Sequence, residues 1–138
     1  MKRTLKLICI LMSLAGFAAS FSVSAEESTG PKVLYYDLDP NIITNYQKPP
    51  ARRLGFVTID VQFEVNSEEK LDLLEHHKAL LEDTLIDIIN QQEETLIKDT
   101  ARRGELRDLI KSRVSEVLKE ETGNEVIQSV LITKFIFQ

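Results

Sequence analysis

Val57, Ile59, Val61, Phe63 and Val65 alternate with Thr58, Asp60, Gln62 and Glu64. Side chains on a strand alternate faces, so this predicts a strand over Leu54 to Val65 with one apolar and one polar face. Such a strand belongs to a sheet with one wetted side, usually an antiparallel one. Upstream, the β-branched and aromatic run Val33-Leu34-Tyr35-Tyr36-Asp37-Leu38 predicts a first strand, stopped at Asp39-Pro40-Asn41. Ile42 to Tyr46 continues as an extended edge until Lys48-Pro49-Pro50. After Val65 the period changes. Leu71, Leu74, Leu81, Leu85 and Ile88 recur at helical spacing, widened by Leu73, Leu80 and Ile89. They predict one helix, capped at Asn66 or Ser67 and running to the region of Gln92; Asn66 and Glu69 have the spacing of a capping box. Glu93 to Asp99 reads as a connector with a short turn around Leu96 and Ile97. A second helix is predicted from a cap at Thr100, with Leu106, Leu109, Ile110, Val114, Val117 and Leu118 as its apolar stripe and Gly123 as its left-handed stop. Val126 to Phe137 predicts a last strand, with Ile127, Leu131, Phe135 and Phe137 facing one way and Gln128, Ile132, Lys134 and Ile136 the other. Apolar residues on both faces place it centrally, paired with Leu54 to Val65. The fold class is α+β, a small antiparallel sheet packed by two helices.

The chain opens differently. Met1-Lys2-Arg3 and Lys6 form a cationic start, and Leu7 to Ala19 is apolar except for Ser13 and Gly16. Val23-Ser24-Ala25 then precedes Glu26-Glu27. That order is a secretory signal peptide, with cleavage expected between Ala25 and Glu26. The apolar run is short against the roughly 20 residues of a bilayer-spanning helix. The alternative is an uncleaved membrane anchor over Leu5 to Val23. The organisation is therefore residues 1–25 as signal peptide, 26–32 as a flexible tether and 33–138 as the folded domain, periplasmic if cut and inner-membrane associated if anchored.

Charge narrows the partners. The 17 basic residues less Lys2, Arg3 and Lys6 leave 14 against 22 acidic ones, a net −8 for the exported part. An acidic domain of this kind repels nucleic acid and anionic lipid. Cys9, the only cysteine, lies in the leader, so the exported part has no thiol for a disulfide, a nucleophile or a metal site. Lys6-Leu7-Ile8 before it does not fit a lipidation site.

Reactive groups do not converge in the sequence. His76 and His77 are neighbours, about 100° apart around a helix, and only Asp72 stands one turn from His76, so metal chelation is not expected. Asp37-x-Asp39-x-Asn41 begins like a calcium loop, but Ile42 and Lys48 replace the required Gly and Glu. It reads instead as a turn in which Asp39 and Asn41 bond local backbone. Arg52-Arg53 and Arg102-Arg103 read as solvated basic pairs, with contact to an acidic partner surface as the alternative. No catalytic, metal or cofactor site is expected.

Four segments in order carry a family likeness: Tyr35-Tyr36-Asp37-Leu38-Asp39-Pro40, the alternating run Phe56 to Val65, Gly104 to Ile110 with Val114 to Leu118, and the ending Val130 to Gln138. Tyr36, Leu38, Pro40, Val57, Ile59, Val61, Leu106, Phe135 and Gln138 are the positions that carry it most directly. In these the chain resembles the periplasmic domain of the FliL family, flagellar basal-body-associated proteins, over about residues 33 to 138. The resemblance implies a stomatin-like (SPFH, band 7) fold. It implies a non-enzymatic scaffold that forms homo-oligomeric rings around the MotA–MotB stator and supports torque and swarming. Members of the family typically carry a short cytoplasmic tail and a membrane-spanning helix. Cleavage after Ala25 would make this chain a soluble paralogue, and an uncleaved anchor would keep it a membrane-held member of the family. A periplasmic binding or adaptor module unrelated to the motor is the alternative function.

Overall fold

A computed structural model describes residues 32–49 and 53–138 of the chain. The leader, the Ala25–Glu26 junction, Arg52 and nearly all of the tether lie outside the described residues.

Strand β3, Arg53–Val65, organises the sheet. β1, Leu34–Asp37, and β2, Ile42–Lys48, both pair antiparallel along one side of it, β1 beside its C-terminal half and β2 beside its N-terminal half. β4, Ser129–Phe137, pairs antiparallel along the other side. The predicted alternation holds through β3: Val57, Ile59, Val61, Phe63 and Val65 are buried, and Thr58, Asp60, Gln62 and Glu64 are half-exposed. The helices cover the face of the buried set, so the sheet has one dry and one wet side.

β4 is an edge strand among the described residues, not the central strand expected. The central position belongs to β3. The expected division of β4 faces also fails. Asp60 pairs with Lys134 but Val61 pairs with Ile132, so Thr133 is an extra residue, a β-bulge. Alternation restarts across it: Val130 and Ile132, then Phe135 and Phe137, lie on the helix-covered side, while Leu131 and Ile136 stand exposed on the other. A strict period of two cannot anticipate an inserted residue. On the opposite side of β3, Asp37 pairs with Gln62 and Ile42 with Ile59, so Leu38 to Asn41 also bulge out beside Asp60 and Val61. The sheet is thus interrupted on both sides at one level.

The helical region is more segmented than its apolar stripe implied. α1, Glu68–His76, and α2, Lys78–Asn90, are separated at His77, which leaves helical geometry with φ −100° and ψ 19°. His77 Nδ1 lies 2.8 Å from the Leu73 carbonyl oxygen, which also accepts the His77 backbone N–H. A side chain engaging the helix ladder is a recognised source of a kink. Ser67, in extended conformation, is the cap of α1 and accepts from Lys70 N, so the Asn66–Glu69 capping box is not made. The connector folds as a short helix, α3, Glu94–Lys98. Thr100 does not cap the next helix. Asp99 caps a single 3-10 turn over Thr100–Arg102 by accepting from Ala101 N, and α4, Arg103–Thr122, follows. Gly123 ends α4 at φ 73°, as predicted.

The core lies between sheet and helices. α4 contributes Leu106, Ile110, Val114 and Leu118, all fully buried, and α2 contributes Leu81, Leu85, Ile88 and Ile89. Burying a side chain of this size stabilises by about 1.5–3 kcal/mol relative to exposure. No helix of the described residues is long and apolar enough to cross a membrane.

Candidate functional site

Most positions expected from the sequence to carry the family likeness are buried. Val57, Ile59, Val61, Leu38 and Leu106 are buried in the core. Tyr36 is nearly buried and its hydroxyl donates to Glu75 Oε2 at 2.7 Å, tying β1 to α1. Burial first, then this bond and the Glu75 charge, pushes the phenol well above its ordinary value of 10.0. Pro40 is exposed in the Leu38–Asn41 bulge, and the Asp39–Pro40 peptide bond is cis. Phe135 is half-buried beneath the Arg103 guanidinium, whose Cζ lies 3.5 Å from the ring centroid. Gln138 is exposed but held at its main chain: its N–H donates to the Phe56 carbonyl, and its carbonyl accepts from Tyr46 Oη at 2.9 Å and Lys48 Nζ at 3.0 Å.

The chemistry-bearing residues singled out in the sequence do not converge on a reactive site. His76 is exposed, while His77 is half-buried against α1. No cluster of three or more metal-ligating side chains occurs among the described residues. The double bulge gathers Asp37, Asp39, Asn41, Asp60 and Lys134 around a shallow cleft on the sheet. Asp37 accepts from Gln62, and Asp60 pairs with Lys134 at 3.6 Å. Asp39 and Asn41 make no side-chain hydrogen bond among the described residues, against the expectation that they bond local backbone.

The arginine pair at the start of α4 divides. Arg102 forms a surface ion pair with Glu105 at 2.8 Å. Arg103 is not the solvated charge expected. It turns inward over Phe135 and reaches the Ile97 carbonyl at 3.5 Å, leaving Nη1 buried without a partner. Burial lowers its pKa.

What the surface offers is contact area. On the wet side of the sheet Ile43 pairs with Thr58, which pairs in turn with Ile136, while Phe56 and Leu54 continue the row. Ile43, Leu54, Phe56 and Ile136 are each at least half exposed. Contiguous exposed apolar side chains of this kind mark interaction surfaces. Sequence reading missed this patch, because Leu54 and Phe56 precede the clean alternation and Ile136 changes face through the bulge. A polar-face tally in register would have found Ile43 and Phe56.

A search of curated proteins found no match to the chain. The family model described as flagellar basal body-associated protein FliL matches residues 35–138, which take in every strand and helix described except the first residue of β1. The chain therefore belongs to the FliL family of flagellar basal-body-associated proteins.

Proposed function

We propose that the chain is a non-catalytic scaffold of the flagellar motor, acting outside the cytoplasmic membrane. It assembles with copies of itself, as rings, around a MotA–MotB-like stator and supports torque under load and swarming. The observation that carries this reading is the family match across the whole folded domain. The apolar row Ile43, Leu54, Phe56 and Ile136 supports it as a surface suited to protein contact. The reading includes a stomatin-like fold class and export by residues 1–25, with cleavage between Ala25 and Glu26 or retention as an anchor.

Deletion of the gene tests the function. The expected result is loss of swarming and of rotation at high load, restored by the full chain, with stator proteins co-purifying. Unchanged motility at high load together with absence of motor proteins from the purified material would refute it. Intact mass on fractionated cells separates the two N-terminal forms. A product starting at Glu26 is the soluble form, and a full-length one in the inner membrane is the anchored form.

A further inference from the structure

We propose that the free edge of β4 binds an extended segment of a partner protein, one that presents carboxylates toward α4 and apolar side chains toward the wet side of the sheet. The inference stands on geometry and does not depend on the motor assignment.

β4 pairs only with β3 among the described residues. In an antiparallel ladder alternate residues direct their N–H and C=O to the partner strand and the rest direct them away. Gln138 N donates to the Phe56 carbonyl, which sets the phase at that end. Leu38 N donates to the Val61 carbonyl, so Val61 and Phe63 point toward β1 and leave Gln62 and Glu64 for β4. Their partners are Leu131 and Ser129, so the main-chain groups of Val130, Ile132, Phe135 and Phe137 face away from β3; Val130 is buried there, which leaves Ile132, Phe135 and Phe137 to receive a strand. The opposite edge differs, because there Gln47 N donates to the Gln92 carbonyl and Gln47 bridges to Glu93. Unpaired edge groups are a template for another strand.

Charge then selects the strand. Arg103 and Arg107, one turn apart on α4, line a groove with Val130, Leu131 and Ile132, and Gly104 leaves its floor open. Arg103 has no carboxylate partner among the described residues and keeps one buried, unbonded N–H group. Arg107 meets only its sequence neighbour Asp108, at the surface. In a chain of net charge −5 this is a local basic strip beside a strand edge. On the other side of the same edge Leu131 and Ile136 are exposed. An added strand alternates faces, so carboxylates at every second position would meet the arginines and apolar residues between them would extend the exposed row. A second copy of this chain fits less well: edge-to-edge pairing through β4 would bring two pairs of arginines together.

The test uses protein made from the full 138-residue chain and three acetylated peptides. One alternates Glu and Val, one alternates Lys and Val, and one is the Glu–Val peptide with every second backbone nitrogen methylated. The expected result is saturable binding of the first alone. Amide shifts and slowed hydrogen exchange should centre on Ile132, Phe135 and Phe137. Binding should weaken about tenfold in exposed Arg107→Glu and fall with added salt. Failure of the Glu–Val peptide to bind, equal binding of the Lys or methylated peptide, or shifts centred on β2 would each overturn the proposal. Self-association that protects the β4 amides without peptide would overturn it as well.

Discussion

Gly55 supports a specific prediction. It lies in β3 directly opposite Tyr46 in β2, on the buried side of the sheet. Tyr46 is fully buried, and its ring occupies the space that a side chain at position 55 would need. A methyl group there would fall 2.5 Å from Tyr46 Oη and closer still to Cε1 and Cζ. Position 55 does not have a positive φ, so glycine is required by the ring and not by the backbone. The ring cannot swing away freely, because its hydroxyl donates to the Gln138 carbonyl and anchors the end of β4. Gly55→Ala should therefore force an overpacking strain of about 1–3 kcal/mol and weaken a hydrogen bond worth about 0.5–1.5 kcal/mol. Against this, alanine lowers unfolded-chain entropy and stabilises by about 0.4–1 kcal/mol. The net is a loss of about 1–3 kcal/mol, or roughly 4–20 °C in Tm for a domain near 100 residues. Urea denaturation followed by circular dichroism measures it. The same substitution in a Tyr46→Ala background should cost little, since the obstructing ring is gone, and the double-mutant cycle isolates the coupling. A neutral or stabilising Gly55→Ala, or an equal loss in both backgrounds, would refute the reasoning.

Tyr36 predicts an alkaline limb. Its folded pKa is raised above the unfolded value of 10.0, so its neutral form is favoured by folding. Stability should be undiminished below that pH and fall as pH rises beyond it, whereas Tyr36→Phe should lose about 1 kcal/mol at neutral pH and show a shallower alkaline decline in denaturant titrations. Gly123→Ala, at φ 73°, should destabilise by about 1–2 kcal/mol, with Gly123→Asn milder, in thermal melts. Leu106→Ala, in a fully buried site on α4, should cost about 2–5 kcal/mol and lower the urea midpoint without altering the helical spectrum of the native state.

The sequence was informative wherever one local rule decided the outcome. Alternation in β3, the helical stripe of α4 and the glycine stop at Gly123 each follow from a single periodicity or a single backbone preference. It was uninformative where two segments distant in sequence had to agree. The helix break at His77 is a local exception: it depends on a polar side chain engaging the carbonyl four residues back, which an apolar stripe does not register. The edge position of β4 depends on β1 and β2 sharing the other side of β3, which no property of Val126 to Phe137 encodes. The bulge at Thr133 has the same character, and it has the largest consequence. By shifting the phase it places Ile136 beside Thr58 and Ile43 on the wet side, where strict alternation carried back from Val130 and Ile132 would have buried it. The apolar row and the groove beside Arg103 are thus products of register. Core and contact surface thus interleave within the same segments: Val57, Ile59, Val61 and Leu106 fill the core, and Ile43, Phe56, Ile136, Arg103 and Arg107 line the surface which that core presents.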